Sequence, residues 1–229
     1  MIDPSLLSQD ALAAMAAAGD AVVAAEQQMR GAGTSPRRLL VGDEQPGEFR
    51  HYPPGDVYDF SSHSQYYFHV HRAHEHGHLH LFLRPLGMPP GLDPAVAVGG
   101  ADSPCHLIAV GLGASGFANE LFTTNRWVTG ESWYTAADVI AMLPRFDVSS
   151  NASHALVGRW LTALVALYRP LVAALVGQRD DAVAAWSREH PGQDPLSDPD
   201  LEITSHAAID VGLWRQALAA ARAEAVLQQ

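Results

Sequence analysis

Cysteine is almost missing from this chain: a single one, Cys105, occurs in 229 residues. One thiol cannot close an internal disulfide, so a small stapled secreted fold is excluded and a reducing compartment fits better. Positive charge is also scarce. Fourteen Lys and Arg stand against 25 Asp and Glu, a formal net charge of −11. Non-specific nucleic-acid binding rests on cationic contacts to phosphate, and anionic membrane surfaces repel an acidic protein. Neither partner is expected. The N-terminal MIDPSLLSQDALAAM lacks the basic flank and apolar stretch of a signal peptide. The most apolar later segment, 160–176, is interrupted by Arg169 and Pro170 and is short for a bilayer crossing. A soluble, cytoplasmic protein is expected.

What is present, 48% hydrophobic and 17% charged residues, is a globular composition, and the length suits one domain over 1–229. Residues 1–33 read as an N-terminal helix. Asp3 can cap it, Pro4 suits its first turn, and Gly31 and Gly33 end it. A Pro- and Gly-rich connection follows, with short strands at 39–41 and 56–60. Residues 56–131 have the pattern of an antiparallel sheet: SQYYFHVHR, HLHLFLR, CHLIAVGLG and ELFTTNRWVTGE. CHLIAVGLG is apolar on both faces, which marks a central strand. Residues 136–229 are mainly helical. A helix at 136–143 precedes a long one that SSNASH can cap and Pro170 should kink. LEITS adds a further strand, and Asp210 can cap a final Ala-rich helix. The fold expected is α+β: an antiparallel sheet of four to six strands, with N- and C-terminal helices packed on its apolar face.

The densest feature is HVHRAHEHGHLH, residues 69–80, with six of the chain's 12 histidines. Side chains alternate across a strand. Tyr66, Phe68 and Val70 therefore share one face, and Tyr67, His69 and His71 the other. Leu79, Leu81 and Leu83 likewise oppose His78, His80 and Phe82. Only an even-length loop puts both apolar rows on one side. A four-residue loop, 73–76, sets His71 across from His78 and His69 across from His80. Opposed Cβ atoms lie about 4.5–5.5 Å apart. The imidazoles of His69, His71, His78 and His80 can then converge on one ion, with bonds of about 2.0–2.1 Å for zinc. His74 and His76 fall in the loop, as does Glu75, which can add a carboxylate.

His69, His71 and Glu75 spell HxHxxxE, which resembles the metal-binding core of the cupins. That resemblance implies a double-stranded β-helix holding iron, manganese or zinc. The glycines of the cupin motif are replaced here by His63 and Phe82, and His106 is the nearest candidate for the family's later histidine. HSQYYFHVHR, EHGHLHLFLR and LFTTNRWVTGE together resemble an uncharacterised bacterial protein family of unknown function, over most of the chain.

Other segments carry less chemistry. GLGASG matches no phosphate-loop pattern and reads as a turn. Ser115 has no nucleophile-elbow context, and Cys105 reads as a small core residue. Asn125, Arg126, Trp127 and Glu131 make the fourth strand unusually polar: either a solvent face, or a pocket wall in which Arg126 and Glu131 join Glu75 as catalytic groups. Arg84, on the histidine face, is suited to an anionic substrate.

All-nitrogen ligation favours zinc, iron, copper or nickel. Three readings stay open. One is a metal-dependent enzyme of unknown small-molecule substrate, whose ion activates water, oxygen or the substrate. The others are a non-catalytic metal-binding or metal-sensing protein, and a metal-free pH-responsive module. The Ala-rich helices allow packing within one chain or in a homo-oligomer.

Overall fold

The computed structural model describes residues 2–71 and 76–227. Six strands form one antiparallel sheet in chain order: β1 (Tyr52–Tyr58), β2 (Ser64–His69), β3 (His78–Leu83), β4 (Cys105–Leu112), β5 (Ala118–Thr124) and β6 (Ile203–Ala208). The helices among the described residues are α1 (Gln9–Gly31), α2 (Pro36–Val41), α3 (Arg126–Thr129), α4 (Ala136–Met142), α5 (Ala155–Leu167), α6 (Arg169–Glu189) and α7 (Val211–Leu227). The α+β expectation holds, at six strands. A cupin-type double-stranded β-helix does not form, because the strands follow one another across a single sheet.

Helix α1 buries Leu12, Met15, Gly19, Val22, Ala25 and Met29. Their three- and four-residue spacing is one helical stripe, and it packs on α5 and α7. Ser8, not Asp3, caps this helix by accepting from Ala11 N; Asp3 and Pro4 instead start a separate 3-10 turn. Pro170 sits in the first turn of α6, and the helical segments on either side of Tyr168 are bent by 74°. Proline is tolerated there because a first-turn residue needs no N–H donor. Helix α6 packs against β4, β5 and β6. No single described helix is long and apolar enough to cross a membrane.

Two local expectations fail. Residues 39–41 lie in α2, not a strand, because the Ser35 hydroxyl caps at Arg38 N and Pro36 starts the helix. The fourth strand ends at Thr124 instead of running to Glu131. Asn125 turns away, donating through Nδ2 to the carbonyls of Pro195 and Asp198, and α3 follows.

One sheet face carries Tyr66, Phe68, Leu79, Leu81, Leu83, Ile108 and Val110, all buried in the core shared with the helices. The opposite face is concave. His71, just beyond β2, brings Nδ1 to 3.6 Å from Glu202 Oε1, just before β6. Four strand spacings on a flat sheet would separate them by about 19 Å, so the sheet curls inward over its histidine face. Strand β4 makes room there. Ala109 lies between His80 and Phe122, and Gly111 between His78 and Glu120.

Candidate metal centre

The hairpin keeps the expected parity but not the expected pairs. His69 lies across from His78, and Tyr67 across from His80. This is a two-residue shift from the register of a four-residue loop, and because side chains repeat every two residues, every histidine stays on its face. Beyond the last pair, His69 and His78, the two segments bond to their outer neighbours: the Val70 carbonyl accepts from Phe49 N, and the Gly77 carbonyl from Leu112 N. Gly77 has φ 80°, and a Cβ there would come within 2.3 Å of the Phe68 ring. Glu75 and His74 lie outside the described residues; His76 is exposed.

Within this register His69, His78 and His80 bring ring nitrogens within 4.8 Å of one another. The Nε2 atoms of His69 and His78 are 2.7 Å apart. The nitrogen–nitrogen edge of a tetrahedral zinc site is roughly 3.3 Å for bonds near 2.0–2.1 Å, so a small opening of the rings admits an ion. His71 lies past the last paired residue, its ring 4.8 Å from that of His69 and 5.1 Å from that of His78. It belongs to the same ring cluster, but not to the converging three.

His106 supplies what the sequence motif could not define. A bulge at Leu107 turns His106 onto the concave face, where its Nε2 is 3.0 Å from His80 Nδ1. In this contact one ring carries the proton and the other accepts it. His80 Nε2 is buried without a partner among the described residues. In the tautomer in which His80 donates through Nδ1 to His106, that Nε2 carries the lone pair a metal needs. Such an orphan is uncommon. Here the orphan belongs to a fully buried imidazole of the converging three, and a partner at the other ring nitrogen is how metal-ligating histidines are oriented.

Burial also sets the charge state. It lowers His69 to about 3, helped by His71 and His51. Burial, then the neighbouring imidazoles, holds His78 and His80 well below the usual histidine range. Burial and Arg179 bring His106 to about 3. All four are uncharged at neutral pH, the form that binds metals.

Aromatic rings flank the centre. Tyr67 stacks on His51 at 3.6 Å between centroids and on Phe82 at 5.5 Å, and Phe122 meets His78 edge-on at 5.3 Å. A cavity of about 470 Å³ opens beside His78, lined also by His71, Glu120, Phe122, Glu202 and His206. Glu120 and His206 could have been found only by extending the face pattern through β5 and β6, whose register the sequence does not define.

Arg126 and Glu131 are not among the three converging residues, and each has partners of its own. Arg126 pairs with Asp194 at 3.3 Å and donates to Ser197. Glu131 is buried and accepts from the Thr129 hydroxyl, and its field reaches Tyr67. Burial raises it to about 8. Arg84 is held by Gln65 and Asp102, and Trp127 is exposed. Cys105 is a buried core thiol, its pKa pushed up by burial.

No curated protein and no solved structure matches the chain. Residues 16–209 do match one family, and the chain belongs to it: the family described as Domain of unknown function (DUF6969).

Proposed function

We propose that the protein is a metal-dependent enzyme that binds a transition-metal ion (zinc, iron, copper or nickel) through His69, His78 and His80. The partnerless, buried Nε2 of His80, whose Nδ1 is engaged by His106, carries this reading. Three protein nitrogens leave an open coordination position, and the cavity against His78 gives a small molecule access to it. The bound ion would supply Lewis acidity or an activated water. In this reading His106 accepts from His80 Nδ1 and so fixes its tautomer, and the His71 ring lies beside the three ligands. Arg126 and Asn125 tie down the loop that ends at Glu202, a cavity wall. Glu131, protonated near neutral pH, is the proposed proton donor on the Tyr67 side, and Glu75 remains a candidate carboxylate. A metal-free pH switch would need rings that titrate near neutrality, and these buried ones are held far below it.

The test is metal analysis of untagged protein, followed by zinc and cobalt(II) titration. One equivalent per chain is expected, lost in His80→Ala. No stoichiometric metal and no affinity on titration would overturn the proposal, and so would full occupancy in His80→Ala.

A further inference from the structure

The cavity beside His78 is built as a receptor in its own right. We propose that it binds a small organic cation, an amine or guanidine with an apolar body, whose charge sits between Glu120 and Glu202. The binding stands on the cavity alone; only the chemistry that follows rests on the metal-centre reading.

Two carboxylates reach this cavity from different elements, Glu120 from β5 and Glu202 from the loop before β6. Their side chains are 38% and 41% exposed, so both can meet an incoming ligand. Glu120 is aimed by its neighbours. It lies flat over Gly111, where a Cβ would come within 2.3 Å of its Cγ and Oε1, and Gly111 is directly across from His78. His206 Nε2 holds Glu120 Oε2 at 2.7 Å. The carboxylate is thus fixed one strand away from a metal-ligand candidate.

An inorganic cation fits poorly. Among the described residues only His69, His78 and His80 bring ligand atoms together within 4.8 Å. The Glu120–His206 and Glu202–His71 pairs do not converge, and the space between them suits a larger ion. An anion fits worse. No Arg lines the cavity among the described residues, and the chain carries a net charge of −11. A phosphate or carboxylate ligand would face two acidic groups without an offsetting cation.

The rest of the wall suits an amphipathic molecule. Leu112, Val128 and Ile203 give an apolar side. Thr124, also in the lining and only 2% exposed, has a hydroxyl without a partner among the described residues, which a polar group on the ligand would satisfy. The volume lies within the range of about 300–1,000 Å³ typical of small-molecule sites.

Calorimetric titration of the full chain, with zinc and again after EDTA, tests the proposal. The probes are phenethylamine, hexylamine, agmatine and spermidine, with 2-phenylethanol and phenylacetate as neutral and anionic counterparts of the first. At least one amine should bind, phenethylamine at least tenfold more tightly than 2-phenylethanol, and phenylacetate most weakly. Glu120→Gln and Glu202→Gln, with melting curves like the parent's, should each lower amine affinity several-fold and leave the alcohol unchanged. The amine preference should survive EDTA, so a chain that binds amines but no zinc would reject the metal reading and keep this one. No binding by any amine, equal binding of amine and alcohol, or indifference to both substitutions would overturn it. So would a second zinc equivalent lost in Glu120→Gln, which would make the cavity a second metal site.

Discussion

His106 touches no ion in the proposed centre, so replacing it isolates the tautomer argument. If His80 donates through Nδ1 to His106, as the proposed centre requires, His106→Leu leaves that buried N–H without its acceptor. Leaving such a donor unsatisfied costs about 1–3 kcal/mol, and losing a group that orients a metal-bound histidine costs roughly 10–100-fold in metal affinity. The two ranges agree, since tenfold is about 1.4 kcal/mol. The effect can be read as stability. At free zinc 1,000 times the parent's Kd, binding stabilises the fold by about 4.1 kcal/mol. A 100-fold weaker variant at the same zinc keeps only about 1.4 kcal/mol by the same relation. Urea unfolding with and without zinc measures both, and cobalt(II) competition against a chelator gives the affinities directly. His106→Gln keeps an acceptor oxygen and should fall between the parent and the Leu variant. If Leu and Gln variants bind zinc equally well, or both bind as the parent does, His106 only fills space and the assignment of His80's lone pair is wrong.

Two further outcomes follow from the surroundings. Glu131 is held protonated up to about 8 by burial, against 4.5 without it. Its folded pKa is raised, so its contribution is fully present below about 4.5 and drains away as pH climbs to about 8. Glu131→Gln should remove that decline and gain on the order of 3 kcal/mol over the parent at pH 7; urea melts at pH 5 and 8 check this, and parallel pH profiles would refute it. Gly158→Ala places a Cβ 2.1 Å from the Val148 carbonyl oxygen. Backbone cannot yield as a side chain does, so α5 must shift, at a cost of about 1–3 kcal/mol, and an unchanged melting temperature would contradict that packing.

Much of this is written in period-two patterns. HLHLFL and YYFHVH fix which residues share a face, and that face assignment survives although the pairing moves by two. Parity is local, whereas the partner each residue meets across the hairpin is not encoded by any period-two pattern. The same limit explains the shortened fourth strand. Its polar residues are compatible with an edge strand, and only the carbonyls of Pro195 and Asp198, some 70 residues later, draw Asn125 away. At residues 39–41 two local signals conflict. Ser35 and Pro36 are a legible helix start, whereas the short apolar run LLV also suits a strand. The inward curl of the sheet, which joins His71 to Glu202 and makes a cavity of separate elements, has no counterpart in the linear pattern.

The concave face also argues for what it is not. Apolar side chains in place of His69, His80 and His106 would fill the same buried space without losing hydration. Instead, the fold keeps polar rings there and leaves a His80 nitrogen without a partner, a loss of about 1–3 kcal/mol. It also withdraws bulk from β4 at Ala109 and Gly111, where larger residues would have sealed the face as a second core. Stability accounts for neither choice. Departures from good packing concentrate where a protein binds or reacts, and here both fall within one hairpin and the strand beside it. A ligand to the orphaned nitrogen would recover the lost interaction, and that is the physical reason to look for an ion at His80 before anywhere else in the molecule.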